Sequence, residues 1–219
     1  MKIIEQSYEI DHFEPKEDVR RICRAARICY KSSELTDFND QCTFIERLLK
    51  RNPDNPHLSP LEHSSLSVIY ITNIGVSHEL VRHRLTSPNQ ESSRYCCYEK
   101  QRFGKEVLFI KDSAIKEDGA DYISWLNECA GVERNYFNRL GLGYNTDIAR
   151  NALTKDVKTE LMITANYREW RHIFKLRCSK EAHYQMREAM IPVLQEVKEK
   201  LPCVFGDISY WDGDMYRYD

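Results

Sequence analysis

The sequence lacks the features that mark membrane and secreted proteins. No stretch approaches the ~20 consecutive apolar residues that a membrane-spanning helix needs. The opening residues, MKIIEQSYEI, contain neither a long apolar run nor a small-residue cleavage site. The most apolar segment, 66–74, is too short to cross a bilayer and is typical of a strand. These absences predict a cytoplasmic protein with no membrane partner.

An excess of charge of either sign is also missing. The 219 residues include 32 Lys and Arg against 34 Asp and Glu, which gives a net charge of -2. A nucleic-acid-binding protein usually carries a broad basic surface, so the sequence predicts no nucleic-acid partner. Any phosphate-binding site must instead be a local cluster of Arg and Lys.

The eight cysteines form no C-x-x-C pair. In a chain without a secretion signal, this scatter favours free, buried thiols. Cys203 follows Pro202, as in a Pro-Cys nucleophile, but its sequence neighbours include no histidine or other cation that would lower its pKa. The sequence therefore predicts no cysteine nucleophile.

A segment that resembles a zinc-protease helix has the wrong spacing for a metal. In HELVRH, His78 and His83 lie five residues apart, whereas the zinc motif needs two histidines four residues apart on one helix face. The sequence predicts no metal site.

Helices and strands mix without regular alternation, which predicts a single α+β domain over residues 1–219. No internal repeat or low-complexity linker interrupts the chain. The predicted strands cover residues 2–10, 64–72, 107–110 and 158–166. The predicted helices cover residues 15–30, 38–49, 74–84, 121–140, 146–153, 167–174 and 179–198. Residues 52–60 and 86–93 are predicted loops.

The most informative segment is RHRLTSPNQESSR, residues 82–94. It places three arginines, one histidine and several hydroxyl or amide side chains within thirteen residues. The rigid guanidinium fork suits phosphate, and Arg82 and Arg84 would point to nearly opposite sides of a helix. The chemistry alone leaves two interpretations open, a solvated basic turn or a phosphate site.

This segment resembles the motif of flavin-dependent thymidylate synthases (the ThyX family), which is RHR, seven residues, then S-x-R. Four further segments resemble the same family in the same order: HLSPLEH at 57–63, Ala149-Arg150, NYR at 166–168, and Leu176-Arg177 followed by Ala182. The resemblance implies a ThyX-like fold with mixed helices and an antiparallel-rich sheet. Glu79 departs from the pattern, because many members have Gln there. Cys29 also departs, because Ser often contacts FAD there.

The resemblance implies a role for each matched position. The residues implied to hold dUMP are Glu79, Leu80, Arg82, Gln90, Glu91, Ser92, Ser93, Arg94, Arg150 and Arg177. The residues implied to hold FAD are Ser59, Arg82, His83, Arg84, Gln90, Asn166, Arg168 and His172. The folate is expected to stack near His57. Arg171 lies outside the matched pattern and is expected to tolerate substitution by Ala.

The implied activity is the reductive methylation of dUMP to dTMP. The carbon donor is 5,10-methylenetetrahydrofolate, and NADPH-reduced FAD is the hydride source. Arg177 is the implied catalytic residue, because a cation at the uracil carbonyl stabilises negative charge on the ring. The family also implies a homotetramer. Two alternatives are a nucleic-acid-binding module that uses the 82–94 segment and a related flavoprotein acting on another pyrimidine.

Overall fold

The computed structural model describes residues 1–28, 31–51, 56–100 and 104–214. Cys29, the end of the first predicted helix and the first half of the predicted 52–60 loop lie outside these ranges. Within them, the structure combines helices with an antiparallel sheet, which confirms the predicted α+β class.

Eight α-helices are found among the described residues, with two short 3₁₀ turns at Ser59–His63 and Arg150–Ala152. The helices are α1 (Pro15–Ile28), α2 (Phe38–Lys50), α3 (Ile74–Leu80), α4 (Ala120–Gly141), α5 (Thr146–Ala149), α6 (Tyr167–Arg177), α7 (Tyr184–Lys200) and α8 (Pro202–Phe205). Among the described residues, no helix is both long enough and apolar enough to cross a membrane.

The strands form two sheets. They are β1 (Lys2–Ile4), β2 (Ser7–His12), β3 (Ser65–Asn73), β4 (Thr86–Gln90), β5 (Leu108–Ile110) and β6 (Lys158–Asn166). The larger sheet has the order β2-β3-β6-β4. The smaller sheet pairs β1 with β5 in parallel, with Ile3 opposite Phe109.

The described chain divides into two compact units, each with its own core. The first unit comprises residues 1–7, 70–82 and 89–162, and the second comprises residues 8–69, 83–88 and 163–219. In the first unit, α4 contributes Trp125 and Tyr136 to a core that also contains Phe109. That the whole chain behaves as a single domain stays a prediction.

In the second unit, α6 packs against α7 and against the 3₁₀ turn before β3. Trp170 is fully buried, and its indole N–H donates to the Leu66 carbonyl at 2.8 Å. The Tyr167 hydroxyl donates to the buried carboxylate of Asp18, so the polar end of this aromatic ring is satisfied inside the core. These contacts fix α6, which carries Arg168 and His172 of the predicted flavin set and is capped by Asn166.

Two segments differ from the sequence-based expectation. Residues 2–10 were predicted as one strand but form β1 and β2, which belong to different sheets. The break falls at Glu5 and Gln6, where the Gln6 side chain accepts a hydrogen bond from Thr72 at 2.6 Å. The predicted 86–93 loop begins instead with β4. Pro88 is tolerated there because β4 lies at the edge of the sheet, where a missing N–H breaks no inner ladder.

Three helix boundaries also differ. The helix predicted at 74–84 ends at Leu80, and the helix predicted at 179–198 begins at Tyr184. The helix predicted at 146–153 is split into α5 and a 3₁₀ turn. The N-cap of α5 is Asn145, whose side chain accepts from the Ile148 N–H.

Candidate active site

The first unit contains a cavity of about 340 Å³, which we name the first-unit cavity. This volume lies at the lower end of the range for small-molecule sites. Five of its lining residues belong to the predicted dUMP set. They are Gln90, Glu91, Ser92, Ser93 and Arg150. The structure thus brings the end of the 82–94 segment together with an arginine that is distant in sequence.

The end of β4 positions the first of these residues. The Glu91 N–H donates to the Glu160 carbonyl at 2.8 Å, which extends the pairing with β6 by one residue. Gln90 donates through its amide nitrogen to Ser77 Oγ at 2.9 Å and to Thr159 Oγ1 at 3.0 Å. Ser77 Oγ itself donates to the Ile74 carbonyl, so it must accept from Gln90. This fixes the amide orientation of Gln90.

A tight turn follows at Ser92. The Ser92 carbonyl accepts from the N–H groups of Tyr95 and Cys96 at 3.0 and 2.9 Å. Arg94 extends away from the lining of the cavity, and its Nε lies 2.8 Å from the Asp147 carboxylate on the surface. The structure therefore brings Ser92 into the cavity lining with Ser93 and Arg150 but does not add Arg94 to it.

Five lining residues were missed from the sequence. They are Ile74, His78, Tyr98, Lys158 and Thr159. Lys158 matters most, because its ammonium lies 2.8 Å from the Glu91 carboxylate. The pair makes Glu91 compatible with an anionic ligand, since its charge is balanced by Lys158. Both residues flank the β4–β6 pairing, which could not be predicted from the sequence because β4 was predicted as a loop.

The remaining predicted dUMP residues of the first unit do not line the cavity. Leu80 is fully buried in the core, Glu79 is half-buried on α3, and Arg82 is exposed after the end of that helix. Their roles toward a nucleotide stay predictions.

The second unit contains a buried cluster around His83. Arg177 Nε donates to His83 Nε2 at 3.0 Å, and His83 Nδ1 lies 3.6 Å from the Glu169 carboxylate. The ring of His172 lies edge-on to that of His83, with 6.0 Å between centroids. Sequence reasoning missed Glu169, because Glu three residues after the N-cap Asn166 is also typical of a helix cap.

His83 is neutral at physiological pH. Burial, the Arg177 cation and His172 together lower the pKa of His83 to about 4. Arg177 offers only donors, so His83 Nε2 must carry a lone pair. The proton of the neutral imidazole is therefore on Nδ1, the nitrogen that faces Glu169.

The donor atoms of His83, Glu169 and His172 lie within 4.8 Å of one another, a spacing that a metal ion could use. The guanidinium of Arg177 already occupies His83 Nε2, and its positive charge opposes a second cation at this point. The Arg177 cation therefore disfavours a metal ion at this cluster.

The other predicted flavin residues of the second unit are mostly exposed. Arg168 is held by Glu62 at 2.5 Å, and Ser59 Oγ lies 3.3 Å from His57 Nε2. Asn166 caps α6 by accepting from the Glu169 N–H at 2.9 Å. Further exposed residues of the predicted set are Arg84 and His172.

Arg171 differs from the expectation that it tolerates Ala. It is 4% exposed, and its guanidinium donates to both carboxylate oxygens of Asp207 at 2.6 and 2.7 Å. Because the Asp207 side chain is 49% exposed, the loss of this charge-assisted pair is expected to cost about 1.5–3 kcal/mol. We therefore infer that Arg171 stabilises the fold, so Arg171→Ala is unsuitable as a control variant that should behave like wild type.

Several of the described cysteines have raised thiol pKa values, which is unlike a nucleophile. Cys203 is buried, and burial together with the neighbouring Cys42 thiol raises its pKa. Burial also raises the pKa of Cys23, Cys129 and Cys178 to about 12. A reactive thiol needs a lowered pKa. Among the described cysteines, none lines the first-unit cavity.

Comparison with known proteins places this chain in a defined class. The family model described as "Thymidylate synthase complementing protein" matches residues 10–203. The flavin-dependent thymidylate synthase of Geobacter sulfurreducens is 30% identical over 193 residues, which covers 85% of this chain and 80% of the relative. The flavin-dependent thymidylate synthase of Pyrococcus furiosus is 31% identical over 192 residues, with 84% and 76% covered.

The chain belongs to the flavin-dependent thymidylate synthase family. This confirms the family resemblance stated from the sequence and, at the level of the family, the methyltransferase class. A solved structure supports the fold. The crystal structure of a UMP/dUMP methylase PolB from Streptomyces cacaoi bound with 5-Br dUMP has a TM-score of 0.76 at 20% identity and covers 94% of this chain and 96% of its own.

Proposed function

We propose that the chain catalyses the reductive methylation of dUMP to dTMP. In this proposal 5,10-methylenetetrahydrofolate is the carbon donor, and FAD reduced by NADPH supplies the hydride when bound. The observation that carries the proposal is the first-unit cavity, whose lining includes Gln90, Glu91, Ser92, Ser93 and Arg150. These residues come from two of the five segments that carry the family resemblance.

The side chains of the cavity suit a pyrimidine nucleotide. Arg150 offers a guanidinium to the phosphate, and the hydroxyls of Ser92 and Ser93 add hydrogen-bond donors. Because the amide nitrogen of Gln90 is used on two protein hydroxyls, its carbonyl oxygen is the atom suited to accept from a pyrimidine N–H. The cavity lining thus offers groups for both ends of the nucleotide.

The second unit offers a donor set that fits FAD. Arg84 and Arg168 are exposed guanidiniums suited to a diphosphate, and Ser59 adds an exposed hydroxyl. Glu62 holds Arg168 in one orientation. The proposed flavin residues also include His83, Asn166 and His172 from the same unit. The roles of Arg82 and Gln90 toward FAD stay predictions from the family resemblance.

Arg177 is the proposed catalytic residue. Its guanidinium would stabilise the negative charge that develops on the uracil ring and makes C5 a better nucleophile toward the methylene carbon. The hydrogen bond from Arg177 Nε to His83 holds one side of the guanidinium. A group that is already oriented costs less to reorganise as charge develops.

The proposal involves no covalent bond between a cysteine and the uracil. The raised pKa of the buried thiols opposes a thiolate nucleophile, as argued above. We further propose that the active protein is a homotetramer and that His57 stacks on the folate. Ser59 lies 3.3 Å from the His57 ring nitrogen, which supports a fixed orientation for that ring.

A second candidate is methylation of UMP. The fold neighbour is described as a UMP/dUMP methylase, so a ribonucleotide is a specific competitor for the same cavity. A nucleic-acid-binding function is less well supported. The net charge is -2, and Lys158 in the cavity lining is neutralised by Glu91.

The test compares the two nucleotides directly. The purified full-length protein, loaded with FAD, is incubated with methylenetetrahydrofolate, NADPH and either dUMP or UMP, and the methylated product is quantified per flavin. The proposal predicts dTMP, a flavin spectrum that responds to dUMP, and equal product from Cys203→Ala. Product from UMP alone would select the second candidate. No product from either nucleotide, in protein that binds FAD, would contradict both.

A further inference from the structure

The Arg177–His83–Glu169 cluster joins the proposed catalytic arginine to a buried carboxylate. Arg177 Nε is 3.0 Å from His83 Nε2, and His83 Nδ1 is 3.6 Å from Glu169 Oε1. His83 and Glu169 are each 7% exposed, so water screens this contact only weakly. All three side chains belong to the second unit.

The two neighbours of His83 favour the same tautomer. The guanidinium N–H requires a lone pair on Nε2, which leaves the imidazole proton on Nδ1. The Glu169 carboxylate faces Nδ1, at a distance slightly longer than a hydrogen bond but short enough for charge–dipole attraction. The opposite tautomer would set an N–H against the Arg177 N–H and a lone pair against the carboxylate. Glu169 therefore lowers the energy of the form that accepts from Arg177.

The position of Glu169 on α6 offers a competing explanation. It lies three residues after the N-cap Asn166, where a carboxylate stabilises the first turn of a helix. A substitution there will lower stability whichever explanation holds. The test must therefore read out the His83 tautomer and the chemical step, and not activity alone.

We infer that Glu169 is a positioning residue that keeps His83 protonated on Nδ1, so that His83 Nε2 orients the guanidinium of Arg177. Its importance for turnover rests on the proposed function. Its effect on the tautomer does not, because the tautomer is a property of the protein alone. Outer groups that orient a functional histidine in metal sites are typically worth about 10- to 100-fold in affinity or activity.

The experiment compares Glu169→Leu and Glu169→Gln with wild type in FAD-loaded, full-length protein. Nitrogen-15 NMR of histidine-labelled protein reports which ring nitrogen of His83 carries the proton, and the resonance is assigned with His83→Asn. Leu removes the carboxylate, whereas Gln keeps an oxygen that can accept from Nδ1. Glu17→Leu is the matched control, since Glu17 is also in the first turn of a helix but its side chain is 40% exposed and pairs with Arg20.

In wild type we expect a proton on Nδ1 and a bare Nε2. In Glu169→Leu we expect the Nε2-protonated form to become detectable and kcat to fall about tenfold, with the KM for dUMP changed less than threefold. Glu169→Gln should recover part of both properties, and Glu17→Leu should change neither. If Leu does not fold, the Gln variant carries the comparison.

An unchanged His83 tautomer in the folded variant would overturn the inference, whether or not kcat falls, because Glu169 would then act by another route. Wild-type kcat in a variant with an altered tautomer would overturn it as well. If wild type itself forms no dTMP, the proposed function fails, and the tautomers of wild type and variant still decide whether Glu169 sets the state of His83.

Discussion

The ammonium of Lys158 lies 2.8 Å from the carboxylate of Glu91, and both side chains are largely buried, at 15% and 14% exposure. Lys158 begins β6, and Glu91 follows the end of β4. Both line the first-unit cavity. Lys158 and Glu91 therefore form an ion pair in a lining that also contains Arg150. We expect the phosphate of a bound nucleotide to attract Lys158, while Glu91 remains the counter-charge of that lysine.

Replacing Lys158 by Met should raise the KM for dUMP about tenfold or more with a small effect on kcat. Met keeps the aliphatic stem but removes a charge-assisted hydrogen bond, which is worth about 1.5–3 kcal/mol. It also leaves the Glu91 carboxylate unbalanced beside the phosphate. Steady-state kinetics with varied dUMP measures the effect.

The control for this change is Lys155→Met, an exposed lysine outside the cavity lining. The double variant Glu91→Gln/Lys158→Met should recover part of the lost affinity, because it removes the unbalanced carboxylate. A KM for dUMP that stays at the wild-type value in folded Lys158→Met would show that Lys158 does not contact the nucleotide.

Arg177→Ala should bind FAD nearly as wild type does but lose most dTMP formation. Removing one pre-positioned donor at a site of developing charge typically costs about 10²–10³ in rate. Arg177→Lys should rescue poorly, because an ammonium cannot reproduce the planar fork that donates to His83. The measurement is dTMP formed per bound flavin at saturating dUMP.

The matched control is Arg47→Ala. Arg47 lies in the last turn of α2, as Arg177 lies in the last turn of α6, but Arg47 is exposed. Arg171→Ala should instead lower the free energy of unfolding by about 1.5–3 kcal/mol, since it breaks the charge-assisted pair with Asp207. Arg177→Ala with wild-type turnover would remove this residue from the mechanism and leave the family assignment intact.

The stability of the fold should fall as the pH drops from about 6.5 to about 4. His83 has a pKa near 4 when folded, against its ordinary value of 6.5. In this window the unfolded chain binds a proton that the folded chain does not, so the free energy of unfolding decreases with falling pH. At 1.36 kcal/mol for each unit, the full contribution is about 3 kcal/mol.

Urea unfolding at pH 7 and pH 5 measures this contribution as the difference between wild type and His83→Asn. The variant should lose less stability than wild type on acidification. His63→Asn, at an exposed histidine, is the control. An identical loss in wild type and His83→Asn would mean that His83 is not held neutral.

FAD-loaded protein should be a homotetramer by light scattering. The proposed flavin residues lie far apart in sequence, from Ser59 to His172, and the family resemblance implies sites shared between chains. A stable monomer of about the chain mass of 25.9 kDa that retains FAD would contradict this prediction.

The sequence predicted the elements whose patterns repeat clearly. The alternating apolar residues of β6 gave bounds of 158–166 that agree with the structure, and its buried positions alternate along most of the strand. The proline in β4 concealed a strand, because an edge strand tolerates Pro and the sequence does not tell which strand lies at an edge. The pairing of Lys158 with Glu91 was missed for the same reason.

Functional residues were likewise predicted where they belong to a sequence motif and missed where tertiary packing sets their partner. Ser92, Ser93 and Arg150 were predicted by their resemblance to a family motif, and the structure brings them to one cavity. Glu169 was missed because its spacing from Asn166 also fits a helix cap, and only the fold reveals that it faces His83. Residues that act through a neighbour leave little sign in one sequence, since their partner is set by tertiary packing.

The most direct measurement of the central claim is a crystal structure of the FAD-loaded protein with dUMP bound. We expect the nucleotide in the first-unit cavity, with its phosphate within hydrogen-bond distance of Arg150, Lys158 and the Ser92 hydroxyl. Electron density for dUMP at a different place on the protein, with the first-unit cavity empty, would contradict it.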